Sequence, residues 1–119
     1  MNAAGVPQWT ADGVALCAAA NSKYNPTIVS DGAGGAIVTW NDYRSGNFDI
    51  YAQRVSAAGV PQWTADGVAL CTAANSKNNP TIVSDGAGGA IVTWEDQRNG
   101  NYDIYAQRVN AAGVPQWTA

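Results

Sequence analysis

Residues 26–55 read "PTIVSDGAGGAIVTWNDYRSGNFDIYAQRV", and residues 80–109 read "PTIVSDGAGGAIVTWEDQRNGNYDIYAQRV". Each stretch holds three short runs rich in Val, Ile, Thr, Trp and Tyr, residue types that suit a pleated, half-buried surface. The runs Pro26–Asp31, Ala36–Asn41 and Phe48–Val55 are therefore predicted strands. Asp31-Gly32-Ala33-Gly34-Gly35 joins the first two, glycine supplying the positive φ that a tight hairpin needs. "RSGN" at 44–47 and "RNGN" at 98–101 turn the second hairpin. In the middle run Ala36, Val38 and Trp40 alternate with Ile37 and Thr39, so both faces are largely apolar and the sheet is expected to be covered on both sides.

Working outward, a fourth strand is expected within "GVPQWTADGVALC" at 5–17 and 59–71, where Pro7 and Pro61 fit an edge strand that needs no N–H from them. Trp9, Trp63 and Trp117 recur every 54 residues. Residues 2–55 laid over 56–109 differ at seven positions. A helical stripe is absent throughout, so the chain reads as an all-β tandem repeat. A four-stranded antiparallel unit at this period is a β-propeller blade. A β-sandwich would use similar strands but has no need of near-identical units. The predicted division is an outer strand in 1–17, one blade in 18–71 and a second in 72–119.

The hairpins "WNDYRSGNFDIYAQRV" (40–55) and "WEDQRNGNYDIYAQRV" (94–109) resemble blades of the bacterial TolB-like and WD-like propellers, whose pattern runs through D-R-x-G-N-x-D/E-I-Y. The chain departs from WD repeats in lacking their Gly-His and Trp-Asp signatures. Near-identical tandem blades are also similar to recently amplified bacterial propellers, so the sequence looks like an excerpt of a longer repeat or a designed piece. The resemblance implies a toroid of about six to eight blades and a periplasmic or extracellular setting.

Two blades do not close a ring, and an open pair leaves apolar faces and strand edges uncovered. The chain is therefore expected to bind itself, head to tail, as a homo-oligomer: a trimer giving six blades or a tetramer giving eight. Asn2–Cys17 would complete the last blade of a neighbouring chain, and the identical "NAAGVPQWTA" at 2–11 and 110–119 would compete for one seam.

Six of the seven differences fall in two connections predicted to share one face of the disc. They make Tyr24, Asn41, Tyr43 and Phe48 in one blade, and Asn78, Glu95, Gln97 and Tyr102 in the other, the candidate ligand-binding residues. Tyr24, Tyr43 and Phe48 would form an aromatic platform for carbohydrate or peptide. Asp42, Arg44, Asn47 and Asp49, with Asp96, Arg98, Asn101 and Asp103, are read as braces of the hairpins rather than a Ca²⁺ site, since an Arg among so few oxygen ligands makes a poor cation cage. Tyr51 and Tyr105 are expected to pack between blades, Trp40 and Trp94 in the core, and Arg54 and Arg108 at the rim.

Composition narrows the remaining classes. The formal net charge is −3 and the chain has no histidine. Six unclustered basic residues argue against nucleic acid or an anionic membrane as partner. The absence of histidine removes the usual general base and the commonest metal ligand. Met1-Asn2-Ala3 starts no basic-then-apolar leader. Cys17 and Cys71, one per repeat, read as small buried or half-buried hydrophobes. Neither catalytic residues nor a metal or cofactor are expected, and an enzyme is not the expected class, although Asp42 and Asp49 form the kind of carboxylate pair used by glycosidases. The expected function is a structural repeat module that assembles itself; the alternative is a binding propeller.

Overall fold

The computed structural model describes residue 2 and residues 4–117. Seven strands follow in order: β1 (Lys23–Ser30), β2 (Ala36–Asp42), β3 (Asp49–Val55), β4 (Val68–Cys71), β5 (Lys77–Ser84), β6 (Ala90–Asp96) and β7 (Asp103–Val109). They form two antiparallel sheets, β1-β2-β3-β4 and β5-β6-β7, and no helix occurs among the described residues. The chain is all-β, as its composition of strand formers and turn residues requires.

The β1–β2 hairpin is closed by its own carboxylate. Asp31 Oδ1 accepts from the amides of Ala33 (2.8 Å) and Gly35 (2.9 Å), while Gly32 and Gly34 take φ of 78° and 87°. Gly35 is required for a second reason: a Cβ there would lie 2.1 Å from the Val55 carbonyl oxygen. Arg54 Nε then donates to Asp31 Oδ2 at 3.0 Å, so this arginine pairs across the sheet. Asp85 and Arg108 repeat the pair at 3.2 Å.

Strand bounds differ from the sequence reading by one residue at the ends of β1 (Ser30) and β2 (Asp42), and at three other points. β1 begins at Lys23, three residues before Pro26, because a register shift between Tyr24 and Thr27, with Asn25 at φ 54°, accommodates the proline that cannot donate. β3 begins at Asp49, opposite Asp42, leaving Phe48 in the turn. The fourth strand shrinks to Val68–Cys71, and Pro61 makes only an isolated bridge with Val55.

Residues 4–17, expected as an outer strand, belong to no strand; Met1 and Ala3 lie outside the described residues. The physical reason is the ladder: β4, with the same sequence, draws its backbone partners from β3, and residues 4–17 have no such strand beside them. The segment instead lies on the first sheet. Trp9 Nε1 donates to the Ala57 carbonyl (2.9 Å) and its ring covers Gly59, as Trp63 does to Ala111 (3.0 Å) and Gly113.

β5 packs against β1, β2 and β3, so the sheets face each other. The core between them joins Ile37, Ile50, Ala52, Trp63 and Leu70 to Ala90, Val92, Trp94 and Val109. Trp40 and Trp94 are both buried.

Candidate functional site

The β2–β3 turn is built on Asp42. Its carboxylate is fully buried and receives Arg44 Nη2 (2.7 Å), Arg44 Nε (2.8 Å), the Arg44 amide (2.9 Å) and Trp40 Nε1 (2.9 Å). Asp96, Arg98 and Trp94 repeat this arrangement. Burial by itself would raise these carboxyl groups, but the Arg, Trp and amide donors outweigh it: Asp42 is lowered, and Asp96 is brought down to about 2. The guanidinium carbons of Arg44 and Arg98 lie over the Tyr51 ring (3.8 Å from its centroid) and the Tyr105 ring (3.6 Å), so each tyrosine carries an arginine of its own repeat. Arg44 Nη2 also touches Cys17 Sγ (3.2 Å) and donates to the Asp66 carbonyl (2.7 Å). The cysteines are half-buried beside an ion pair, a placement their apolar neighbours in "GVALC" do not signal. Burial pushes the Cys71 thiol up, against the pull of a backbone donor and nearby Lys77 and Arg98.

Asp49 and Asn47, also read as hairpin braces, differ in what they bond. Asp49 accepts from Ser45 Oγ (2.6 Å) and from Lys77 Nζ (2.9 Å), a lysine of the other sheet with no exposed surface. Asn47 offers its carbonyl to Ser45 Oγ at 3.5 Å. The buried ammonium is a strong, charge-assisted donor to the Asp49 carboxylate. Nothing in "NSKNNP" at 75–80 marks Lys77 as buried, and sequence reasoning misses it. The lysine also donates to the carbonyls of Ala73 and Asn75, and Lys23 does the same to Ala19 and Asn21.

Beside this ion pair, Asn41 donates its Nδ2 to the Lys77 carbonyl (2.7 Å) and to Asn78 Oδ1 (3.2 Å). The candidate binding residues of the two repeats thus divide. Asn41 and Asn78 are joined at the contact between the sheets. Tyr24, Tyr43 and Phe48 gather on the first sheet, with ring centroids 5.6 Å (Tyr24–Phe48) and 4.9 Å (Tyr43–Phe48) apart, edge to face. Glu95 accepts from Asn79 Nδ2 at 3.1 Å, Gln97 is half-buried, and Tyr102 is exposed. Asn101 is exposed at the turn, and Asp103, also exposed, accepts only from Asn99 Nδ2 (3.3 Å) among the described residues.

A second candidate lies along β7, the edge of the three-stranded sheet. A cavity of about 720 Å³ opens there between Leu70, Cys71, Trp94, Arg98, Tyr105 and Gln107. In the first sheet the equivalent space is occupied by residues 64–71: Gly67 lies on the Trp40 ring, Gln53 Nε2 donates to the Thr64 carbonyl (3.0 Å), and β4 pairs with β3. Ile50, in the core between the sheets, has no exposed surface, whereas its counterpart Ile104 is 73% exposed. β7 is the outermost strand of its sheet, and no strand pairs with its outer edge among the described residues.

Among the described residues, no group of three or more His, Cys, Asp or Glu side chains is placed to hold a metal ion. None of the described residues forms a helix long and apolar enough to cross a membrane. Compared with known proteins, the chain matches no family model, and no curated protein or solved structure matches it.

Proposed function

We propose that the chain is a two-blade β-propeller piece whose activity is assembly: copies join head to tail into a closed ring. One observation carries the reading. Among the described residues no strand pairs with the outer edge of β7, a cavity opens there, and residues 11–17, "ADGVALC", repeat letter for letter the residues 65–71 that cover the same edge of the first sheet. Each chain therefore carries both an open edge and a segment of the sequence that covers such an edge. Such complementary, unlike surfaces close into rings when the rotation fits. The resemblance of 40–55 and 94–109 to TolB-like and WD-like blades supports the same architecture. Light scattering on the full chain should give three or four times 12.3 kDa, and a clean monomer at micromolar concentration would overturn the proposal.

A second reading has its own observation. Tyr24 and Tyr43 are 51% and 40% exposed and share an edge-to-face cluster with Phe48. Such an aromatic patch suits the apolar face of a sugar ring or a peptide side chain. A glycan array probed with the wild type and with Tyr43→Ala tests it: binding lost in the variant supports the patch, and no binding by the wild type removes it.

A further inference from the structure

The contact between the two sheets can be carried forward by one repeat. Lys77–Asp49 is its buried ion pair, and one repeat of 54 residues relates these positions to Lys23 and Asp103. Lys23 is already held as Lys77 is, its Nζ donating to the Ala19 and Asn21 carbonyls, but among the described residues it forms no salt bridge. Asp103 is exposed where Asp49 is 2% exposed. The apolar positions follow suit. Pro80 is fully buried at the contact while Pro26 is exposed; Ile28 is 67% exposed where Ile82 is half-buried; Ile104 is exposed where Ile50 is not. The two outer faces are thus the separated halves of the inner contact.

Resting on the ring reading above, we infer that the outer face of the second sheet receives the first sheet of a second copy, with Lys23 Nζ of that copy on Asp103 and its residues 11–17 along β7. Arg98 then finds the Asp12 carbonyl as Arg44 finds that of Asp66. Residues 110–117 keep their own place, because the Gln116 amide is bonded to the Arg108 carbonyl (2.7 Å) and the Trp117 amide to Gln107 Oε1 (2.8 Å). The incoming copy therefore seats from Ala11 onward and gives up the Trp9 contact at Gly59, which Trp117 takes over. The repeat differences fit this seam. Inside the chain Asn41 meets Asn78; between chains Glu95 meets Tyr24, an acceptor facing a hydroxyl donor. One bond does not carry over, since Glu95 has no N–H for the Lys23 carbonyl as Asn41 has for that of Lys77. The seam between chains is accordingly the weaker of the two.

The experiment is a charge swap followed by light scattering on the full chain. Asp103→Lys and Lys23→Asp should each weaken association by about 30-fold or more, and the double variant Lys23→Asp/Asp103→Lys, which restores opposite charges at every head-to-tail seam whatever the number of subunits, should recover the assembly. Far-UV circular dichroism checks each variant's fold. Should Lys23→Asp fail to fold, Ile104→Glu serves in its place, since an exposed position tolerates the charge in a free chain and only a buried seam rejects it. A wild-type monomer would remove the ring reading itself. A wild-type assembly that Asp103→Lys and Ile104→Glu leave unchanged would keep the ring and overturn this seam, as would folded single variants that dissociate while the folded double variant fails to reassemble.

Discussion

Aspartate is the residue on which this chain turns. Asp31 closes one hairpin, Asp42 the next, and Asp49 ties the sheets together. Asp96 shows the energetic consequence. Its folded value of about 2 lies below the usual carboxylate value near ~4. Its stabilisation is thus fully present above about pH 4 and is lost as the pH falls towards about 2. Asp96→Asn should cost about 2 kcal/mol at neutral pH and flatten the loss of stability in acid, read from urea melts at fixed concentration; an unchanged acid profile would contradict the assignment. Lys77→Met should be more severe, about 3–5 kcal/mol, because it strands the buried Asp49 carboxylate. The double variant Lys77→Met/Asp49→Asn should recover much of that, and a strictly additive cycle would show the pair to be uncoupled. The hairpin aspartates stand out in the sequence, beside Gly and Arg at fixed offsets. Lys77 does not, since its burial comes from a strand 28 residues away.

At the scale of elements, the two hairpins of each unit are legible because turn chemistry is local. "DGAGG" and "RSGN" set backbone geometry through residues that see only their neighbours. The fourth strand is less so. β4 exists where β3 offers a ladder, while the same letters at 14–17 form none. Glycines separate local from tertiary demands. Gly46 has φ 93° with open space around it, so Gly46→Ala should cost about 1 kcal/mol from conformation alone. Gly67 has φ 97°, and a Cβ would fall 2.8 Å from the Trp40 ring and 2.9 Å from the Ala52 carbonyl. Gly67→Ala should cost roughly 3 kcal/mol or more. Thermal melts of the two variants compare them directly, and equal losses would mean that β4 is not seated on Trp40.

For the whole molecule, the proposed assembly makes stability depend on concentration. Association that binds only the folded chain raises the melting temperature as protein concentration rises. Over a 100-fold dilution series the melting temperature should fall if rings form, and a constant value would indicate a chain that folds and melts alone. The candidate site was only partly visible beforehand. The seven repeat differences could be counted, but whether they faced a ligand or a neighbouring sheet could not. Asn41 and Asn78 turn out to meet each other, whereas Tyr24, Tyr43 and Phe48 meet only among themselves.

By itself the sequence determined the all-β character, the repeat, the hairpin turns and the buried tryptophans, because strand propensity, glycine conformations and side-chain alternation act over a few residues. The tertiary structure alone decided that Lys77 pairs with Asp49, that the cysteines lie beside arginines, and that identical segments form a strand at 68–71 and none at 14–17. In each case the deciding partner is a group distant along the chain. A backbone or buried charge takes its conformation from whichever partner lies beside it.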